Sequence, residues 1–399
     1  MNENIEIIVV GGGPSGLIAA RKAARKKTRV MVLEEDKSIG LPCHCAGLLS
    51  SKGLADIGVS PHEPFVQNKI KGARFFSPSR LSFTVERDET VAYVVDRSLF
   101  DQFLAQQAVK SGAQIKLSSK VQSIKLDKQR DAWTINIEKQ GLLGAKMIVD
   151  AEGVSSRIVK STGLKPLKLA SILPALQFDL NNVNVDPDYV EIHTGSKIAP
   201  NFFAWVIPLG ENSARAGLAC KELNPRFQLE KFIKERFGEK NNMSQIGVRS
   251  GMIITSGPIE KTYSDNLLVV GDAAGQVKPT TGGGVILGGI CASIAGDVAA
   301  EAVDKNNFKE IFLRKYEVLW KERLNKEFQM TSLARKVLNL LSDKAIDKLF
   351  KIIIEENLQD ELSVDGNMDF QRNALLKLLK RKEVLKILPT VWRALTPFK

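Results

Sequence analysis

A glycine-led turn close to the amino end restricts the fold more than any other feature of the chain. The β-branched residues 5–10 are typical of a buried parallel strand, and they run directly into Gly11, Gly13 and Gly16 in the spacing G-x-G-x-x-G. A helical pattern follows over residues 17–26. In this order the first glycine allows a tight turn, the second lets the backbone approach a pyrophosphate, and the third lets helix and strand pack closely. The sequence therefore predicts a dinucleotide on the N-terminus of this helix.

The next predicted strand supplies an acid to the same site. It ends in Glu34, eighteen residues after Gly16, where the carboxylate can accept hydrogen bonds from ribose hydroxyls. An acid rather than an arginine argues against a 2′-phosphate, so NAD and FAD remain the alternatives at this point. The predicted contacts in this half of the site are Gly11, Gly13, Ser15, Gly16 and Glu34.

A second strand followed by a glycine run lies far along the chain and favours the flavin. The apolar residues 267–270 stop just before Asp272, and a small-residue helical pattern follows the glycines. An acid at a strand end suits the hydroxyls of the ribityl chain, so Asp272 is a predicted contact. The amides of Gly283, Gly284 and Val285 can face the pyrimidine edge of the ring, where a helix N-terminus stabilises the negative charge of a reduced flavin.

Six stretches together resemble a known family. They read, in chain order, GGGPSG, GLPCHCAGLLS, VVDRSLFDQFL, IVDAEGVSSR, NFFAWVIPLG and LLVVGDAAG. They are similar to the landmarks of FAD-dependent oxidoreductases of the aromatic-hydroxylase type, and the second and fifth resemble signatures of the geranylgeranyl reductases within that group. The chain departs from the family pattern at Ala46, Glu152 and Ile207, where a glycine, an aspartate and an aromatic residue are usual.

The resemblance implies the fold and its division into domains. It implies an α/β protein with a Rossmann-like FAD-binding domain of the para-hydroxybenzoate-hydroxylase type, an antiparallel β-sheet substrate domain and a C-terminal helical region. The expected boundaries are residues 1–70, 96–165 and 262–307 for the FAD-binding domain, 71–95 and 166–261 for the substrate domain, and 308–399 for the helical region. Alternation over residues 120–139 predicts a hairpin, and Asp96 is expected to cap the helix that follows it.

The segment around Cys43, His44 and Cys45 has three interpretations. As metal ligands the three side chains are too close in sequence to surround an ion tetrahedrally, and a Cys43–Cys45 disulfide would close a strained ring, so no metal site is predicted. A loop that runs along the flavin fits the position after the second strand better. The resemblance implies that Cys45 lies at the reactive face of the flavin as the catalytic residue, with Ala46 and Leu48 as close contacts. Simple packing is the alternative for this thiol.

Five further residues enter the predicted site. The resemblance makes Arg97 and Val121 cofactor contacts, and a surface salt bridge is the alternative for Arg97. Phe203, Trp205 and Pro208, with Phe202 beside them, are expected to line an apolar substrate cavity. Packing within the core of a sheet is the alternative for these aromatic residues.

The formal net charge of +12 predicts an anionic partner or surface. Residues 371–399 alternate leucines with cations, which is typical of an amphipathic segment on an anionic membrane, and packing on the protein's own body is the alternative. Nucleic acid is not expected, because no zinc pattern or RNP-like motif occurs. The cations are Arg372, Lys377, Lys380, Arg381, Lys382, Lys386, Arg393 and Lys399, with Leu375, Leu376, Leu379, Val384, Leu385, Leu388 and Trp392 among them.

Location is predicted from the amino end and the cysteines. No basic leader precedes the first strand, and no run of about eighteen uncharged apolar residues occurs. Four scattered cysteines do not form a disulfide framework, which favours a reducing compartment. We therefore expect a cytoplasmic protein that is peripheral on the cytoplasmic face of the membrane.

The resemblance implies a reductase that uses FAD to saturate carbon–carbon double bonds in the geranylgeranyl chains of archaeal-type ether lipids. Its electron donor is expected to be NAD(P)H or a small reduced carrier protein such as ferredoxin. Two other functions remain open: a flavin monooxygenase acting on an aromatic or quinone compound, which shares every nucleotide motif, and a lipid-binding flavoprotein without turnover.

Overall fold

The computed structural model describes residues 5–62, 64–127, 129, 131–238 and 243–385. Elements are numbered in chain order within this part of the chain. The strands are β1 (Ile7–Val10), β2 (Val30–Leu33), β3 (Leu48–Ser50), β4 (Val66–Ile70), β5 (Gly72–Phe76), β6 (Ser82–Glu86), β7 (Ala92–Val95), β8 (Gln114–Lys116), β9 (Val121–Asp127), β10 (Ala132–Ile137), β11 (Gly141–Ala145), β12 (Met147–Asp150), β13 (Ile172–Asn181), β14 (Tyr189–Thr194), β15 (Phe203–Gly210), β16 (Ser213–Ala219), β17 (Ser244–Ile254), β18 (Tyr263–Ser264) and β19 (Leu267–Val269). The α-helices are α1 (Pro14–Ala24), α2 (Ser51–Asp56), α3 (Arg97–Lys110), α4 (Arg157–Ser161), α5 (Pro225–Phe237), α6 (Val285–Asp304), α7 (Glu310–Leu340), α8 (Asp343–Glu355), α9 (Leu358–Asp365), α10 (Arg372–Leu379) and α11 (Lys382–Leu385).

A six-stranded, mostly parallel sheet carries the predicted nucleotide turns. Its order is β18-β19-β12-β1-β2-β8, and β1 lies between β2 and β12 with Ile7 opposite Val30 and Met147. All four residues of β1 are buried, as their β-branched composition predicts for a central strand. The Rossmann-like prediction is therefore confirmed.

Helices α1 and α6 cover one face of this sheet and pack closely through glycines. A side chain on Gly296 would overlap the carbonyl of Ala19, and one on Gly289 would lie 2.8 Å from Ile57 and 3.0 Å from Ile18. Behind the sheet, β9, β10 and β11 form an antiparallel layer, so the predicted hairpin is present and is extended by a third strand.

A seven-stranded sheet forms the second layer, in the order β17-β13-β16-β15-β14-β5-β6. It is antiparallel except where β14 pairs in parallel with β5. Strands β5 and β6 join it as expected, whereas β7 pairs with β3 and β4 in a separate small sheet. Helix α5 packs on one face of the large sheet, against Phe178, Ala204 and Leu218.

The carboxyl-terminal helices pack against both layers. The long helix α7 buries Leu313, Tyr316 and Trp320 in the same core as α6. Helix α8 places Phe350 5.0 Å from the ring of Phe83 on β6. The helical region that the sequence predicts after residue 308 is thus part of the packed body over its described length.

Among the described residues, α6 is long and apolar enough to cross a membrane. Helix α6 is not an uncharged run, because it contains Asp297. Inside the protein, 72% of this segment is buried, and its small residues pack against α1. A buried core helix satisfies the same length and composition criteria.

Candidate flavin and substrate site

The amino-terminal turn has the geometry that its glycines predict. A side chain on Gly11, whose φ is +101°, would overlap the carbonyl of Ala151, and one on Gly16 would overlap the carbonyl of Gly11. A side chain on Gly13 would meet nothing within 4 Å. Helix α1 begins at Pro14 without a capping side chain, so its first N–H groups are available to an anion beside Gly13.

Glu34 lies against this turn, although not as a free acid at the end of its strand. Its Oε2 accepts a hydrogen bond from the Gly12 amide at 2.6 Å, and its Oε1 accepts one from the Asp36 amide at 2.8 Å. Burial raises the pKa of Glu34, and the two amide hydrogen bonds oppose that rise. The half-buried carboxylate is thereby fixed next to the glycine turn.

The two distant halves of the predicted site meet at Ser15. Its Oγ lies 2.5 Å from where a side chain on Gly271 would begin and 2.9 Å from where one on Gly288 would begin. The glycine-rich turn of α1 and the first turns of α6 are therefore in contact, as a single cofactor spanning both requires.

Asp272 lies beside the start of α6, close to where these halves meet. Its carboxylate is solvent-exposed and makes no hydrogen bond or ion pair with any described residue, yet it is surrounded by protein, and this burial raises its pKa while Arg97 lowers it. Its Oδ1 is 2.8 Å from where a side chain on Gly284 would begin. Because α6 starts after Gly284 without a capping side chain, an unpaired acid and free N–H groups lie side by side.

Arg97 lies near both the cysteine loop and Asp272. It is buried and forms a two-point ion pair with Asp101 at 3.0 Å. The alternative prediction of a salt bridge is therefore right about the ion pair, but the pair is buried rather than at the surface. Burial alone would lower the pKa of Arg97, but the charges of Asp101, Cys45 and Cys43 raise it. Arg97 therefore lies close enough to the cysteine loop and to Asp272 for their charges to interact. Three separate segments of the predicted site are near one another.

The cysteine loop contains free thiols. Among the described residues all four cysteines are unbridged, and Cys220 and Cys291 are buried. The Sγ of Cys45 accepts a hydrogen bond from the Gly47 amide at 3.4 Å, and the Cys43 thiol donates to the carbonyl of Cys45 at 3.9 Å. Gly47 has a φ of +77°, and a side chain there would overlap the carbonyl of Val95, so only glycine fits the turn that holds this thiol.

The large sheet holds this loop from below through residues that sequence reasoning missed. The amide of Gln177 donates to the carbonyl of Cys45 at 3.0 Å, and the guanidinium of Arg215 donates to the carbonyl of Ala46. Arg215 is fully buried and is paired with Asp179 at 2.8 Å. A signal existed in the sequence, because Gln177 and Asp179 alternate at inward positions of an otherwise apolar strand.

The loop that leads into α6 is held by the carboxyl-terminal region, which the sequence did not predict. The buried Lys278 donates to Asp369 Oδ1 at 2.7 Å and to the carbonyl of Met368 at 2.8 Å. Thr280 donates to the side chain of Gln371 at 2.6 Å. The residues after α9 therefore fix the backbone that precedes Gly283 and Gly284.

Arg335 of α7 connects this loop to the aromatic strand. It donates to the carbonyls of Pro279 and Thr280 at 2.9 Å and to that of Asn201 at 3.1 Å, and its guanidinium lies 4.6 Å from the ring centre of Phe202. It has no acidic partner among the described residues, and burial lowers its pKa to about 10. The flavin loop and the predicted substrate strand thus share one buried cation.

The structure sorts the predicted substrate residues onto two faces of the large sheet. Phe203 and Trp205 lie on the face toward Ala46 and Leu48, with their ring centres 6.1 Å apart. Pro208 is wrong as a lining residue, because it pairs with Ala214 on the face that packs against α5. Strand alternation explains the difference, since Trp205 and Pro208 are an odd number of positions apart.

Val121 lies elsewhere. It begins β9, and its side chain packs under the parallel sheet in the same cluster as Val10 and Leu33. The side chain is therefore part of the core on the side away from α6. Only its backbone remains as a contact of the kind predicted.

The residues present fit a flavin dinucleotide. The two halves of the nucleotide fold supply a glycine cradle with open space at Gly13, helix N-termini without capping side chains, and a carboxylate at Asp272 that has no partner among the described residues. Gly11, Gly13, Ser15, Gly16 and Glu34 would hold the pyrophosphate and ribose end. Asp272 and the amides of Gly283, Gly284 and Val285 would hold the ribityl chain and ring.

Comparison with known proteins agrees with this assignment over nearly the whole chain. The family of NAD(P)-binding Rossmann-like domains matches residues 9–66, and the tryptophan halogenase family matches residues 63–324. A digeranylgeranylglycerophospholipid reductase of Methanocaldococcus jannaschii is 35% identical, covering 97% of this chain and 98% of the relative. The protein of that name from Thermoplasma volcanium is 33% identical, covering 96% and 98%.

Solved structures resemble the chain in the same way. A geranylgeranyl bacteriochlorophyll reductase-like protein from Thermoplasma acidophilum matches with a TM-score of 0.86 and 30% identity, covering 97% of this chain and 99% of that one. A flavin-dependent brominase matches with a TM-score of 0.71 and 17% identity, covering 98% and 99%, and this second likeness concerns the fold alone.

Proposed function

The chain belongs to the family of digeranylgeranylglycerophospholipid reductases, and we propose that it uses FAD to saturate carbon–carbon double bonds in the geranylgeranyl chains of isoprenoid ether lipids. The observation that carries this proposal is the grouping of three separate parts of the predicted site. The Cys45 loop, the partnerless Asp272 and the aromatic face with Phe203 and Trp205 lie around one site. Bound FAD, once reduced, supplies the hydride for such a reaction.

The chain's own residues have three tasks in this reaction. Asp272 and the N-terminus of α6 orient the flavin, because one accepts hydrogen bonds and the other offers them. An unactivated alkene offers no charge to bind, so Phe203 and Trp205 hold the chain by apolar contact, at about 0.8 kcal/mol per buried methylene. Cys45, whose sulfur accepts a hydrogen bond from the Gly47 amide, would donate its thiol proton to the second alkene carbon.

We propose that the enzyme works as a peripheral protein on the cytoplasmic face of the membrane, because its substrate class resides there. The described part of the basic carboxyl end supports this, since Lys377, Lys380 and Lys382 are exposed. The remaining predicted residues Lys386, Leu388, Trp392, Arg393 and Lys399 lie outside the described residues. The electron donor would be NAD(P)H or a small acidic carrier protein, which the net charge of +12 would attract.

Product analysis tests the proposal directly. The purified protein is expected to carry FAD, and after anaerobic reduction with dithionite its flavin should reoxidise when a geranylgeranyl lipid is added. Mass spectrometry should then find two hydrogens gained for each double bond reduced. Oxygen-dependent hydroxylation would show a monooxygenase instead, and a flavin that stays reduced beside bound lipid would show a binding protein.

The two cysteines of the loop give a matched pair of variants. Cys45→Ser should retain FAD and lose most activity, by roughly 100-fold, because a hydroxyl is a far weaker proton donor at this position. Cys43→Ser changes the same atom type two residues away and should keep most activity. Equal activity in the two variants, measured as double bonds reduced per minute under saturating dithionite, would contradict the role of Cys45.

A further inference from the structure

The sheet face that carries Trp205 holds an unbroken transverse row of apolar positions. Gly217 of β16 pairs with Trp205 of β15, which pairs with Ile192 of β14. Ile192 pairs with Phe75 of β5, which pairs with Phe83 of β6. Residues in direct register share one face of a sheet, so these five positions form a continuous line across five strands.

One end of the row lies beneath the cysteine loop. A side chain on Gly217 would come within 2.6 Å of both Gln177 and the indole of Trp205, so only a glycine lets these two side chains pack over this position. Gln177 is the residue whose amide donates to the carbonyl of Cys45 at 3.0 Å. The row therefore starts directly under the proposed reaction centre.

Aromatic rings close the other end. The rings of Phe75 and Phe83 stack with their centres 5.0 Å apart, and Phe83 lies 5.0 Å from the ring of Phe350 on α8. Phe350 is only 6% exposed, so no path continues beyond it. Asp347 of the same helix fixes this end, because it accepts hydrogen bonds from Ser77 in the turn between β5 and β6.

The half of the row away from the cysteine loop keeps partial exposure, although helices pack over this end of the sheet. Ile192, Phe75 and Phe83 keep intermediate exposure. Arg87, just after β6, donates to carbonyls at the end of α9, including that of Ser363 at 2.7 Å, which fixes the helical cover. Apolar side chains that keep partial exposure under a fixed cover suit the lining of an apolar channel.

We propose that this row is the floor of a channel for one isoprenoid chain, and that Phe83 with Phe350 sets the longest chain that fits. Four strand spacings of about 4.8 Å give the row a length of about 19 Å. That is close to the hydrocarbon depth of one membrane leaflet, about half of the roughly 30 Å core. The selection of chain length rests on the proposed function, whereas binding of a chain in the channel does not.

Chain-length preference tests the end of the channel. Wild-type protein should prefer geranylgeranyl lipids over lipids whose chains are one isoprene unit longer. Phe83→Ala should raise the ratio of kcat/KM for the longer chain to that for the shorter by about tenfold, the lower range for a pocket that gains or loses small apolar groups. Phe83→Trp should move the preference toward shorter chains.

Phe76 provides the matched control. It is the neighbour of Phe75 on β5 but lies on the opposite face, where its ring stacks on His193 at 4.4 Å. Phe76→Ala removes the same number of atoms and should leave the chain-length ratio unchanged. If Phe83→Ala and Phe76→Ala give the same ratio, the assignment of the channel end is overturned.

Binding without turnover separates this inference from the reaction. Saturated prenyl alcohols of increasing length should quench or shift tryptophan fluorescence, and the signal should be absent in Trp205→Phe. Affinity should rise with length and then fall at one length in the wild type, and Phe350→Ala should move that maximum to a longer chain. A maximum that does not move would overturn the channel end, whereas chain binding without reduction would leave the channel intact and contradict the proposed function.

Discussion

Asp272 illustrates how one residue can identify a site. A carboxylate that has no partner within the protein is free to accept hydrogen bonds from a ligand. Asp272 has no such partner among the described residues, and its Oδ1 lies next to Gly284 at the start of α6. A ribityl hydroxyl of FAD would supply the partner.

We therefore expect Asp272→Ala to weaken FAD binding by about 10- to 100-fold, since a hydrogen bond to a charged group contributes about 1.5–3 kcal/mol. The measurement is a titration of the apoprotein with FAD, followed by flavin fluorescence. Asp297→Ala is the control, because that acid is 43% exposed and pairs at the surface of α6 with Lys26. Equal affinities in the two variants would remove Asp272 from the site.

Glu191 allows a test of stability against pH away from the cleft. Burial alone would raise the pKa of this carboxyl, but Arg236, whose side chain donates to it at 2.7 Å, and His193 at 2.9 Å lower the pKa from 4.5 to about 2. A depressed pKa of an acid stabilises the fold at pH values above 4.5, and this stabilisation is lost as the pH falls toward 2.

Glu191→Gln should therefore lower the free energy of unfolding by about 3 kcal/mol at pH 7, the equivalent of this pKa difference. The gap from wild type should narrow steadily below pH 4.5. Urea unfolding at a series of pH values measures both quantities. A gap that stays constant down to pH 2.5 would show that packing rather than charge explains the loss.

The site residues that could be predicted are those whose role depends on neighbours in sequence. Gly11, Gly13 and Gly16 predict a turn because a strand pattern precedes them and a helix pattern follows them. Arg215 and Lys278 could not be found in this way, because their partners, Ala46 and Asp369, come from distant segments of the chain. Pairings of this kind exist only after folding.

At the scale of elements, the flavin loop before α6 depends on the carboxyl-terminal region. Lys278 and Asp369 are each less than 5% exposed and form an ion pair at 2.7 Å, and Asp369 also accepts a hydrogen bond from Ser50. A buried pair of this kind costs desolvation, but losing one partner strands the other charge. The position of the loop therefore depends on the segment after α9, which supplies Asp369 to this ion pair.

Asp369→Asn should destabilise the fold by about 3–5 kcal/mol and weaken FAD binding, because the buried Lys278 loses its counter-charge. The double variant Lys278→Met with Asp369→Leu removes both charges and should recover most of the stability. Urea unfolding and FAD titration of Lys278→Met, of Asp369→Leu and of the double variant form a mutant cycle. Additive losses in the double variant would show that the two residues act independently.

Elements were predicted well where local pattern decides them. Asp96 caps α3 as expected, with its carboxylate accepting from the amides of Ser98 and Leu99. Strand β7 was predicted as a strand of the large sheet, which is wrong, because it pairs with β3 and β4. Alternation shows which side chains share a face of a strand, but it does not show which strand lies alongside. No sequence pattern indicated the contacts of the flavin loop with the carboxyl-terminal region, which are those of Lys278 with Asp369 and of Thr280 with Gln371.

For the whole molecule, charge bears on where the protein works. The net charge is +12, and the exposed Lys377, Lys380 and Lys382 lie on or beside α10. A cation near an anionic membrane contributes about 1 kcal/mol, an attraction that salt screens. The basic end of the chain would then contribute to membrane binding as a group of charges.

Reversing the three charges, as Lys377→Glu, Lys380→Glu and Lys382→Glu together, should weaken binding to anionic vesicles by about 100-fold or more at low salt. Co-sedimentation with phosphatidylglycerol and with phosphatidylcholine vesicles measures this. The control reverses Lys110, Lys116 and Lys125, which are exposed around β8 and β9. If both triple variants bind alike, only the overall charge matters.

The central strand has a consequence for how the protein is made. Ile7 is synthesised well before Met147, which is one of its two neighbours in the sheet, and the next strand outward begins at Leu267. At about 5–20 residues per second, the first strand must wait while much of the polypeptide is synthesised. The nascent amino-terminal half therefore exposes an unpaired apolar edge, and cofactor loading must follow translation of the segment that carries Asp369. We expect chaperone dependence and slow maturation, because segments that are far apart in the sequence must come together to form one binding site.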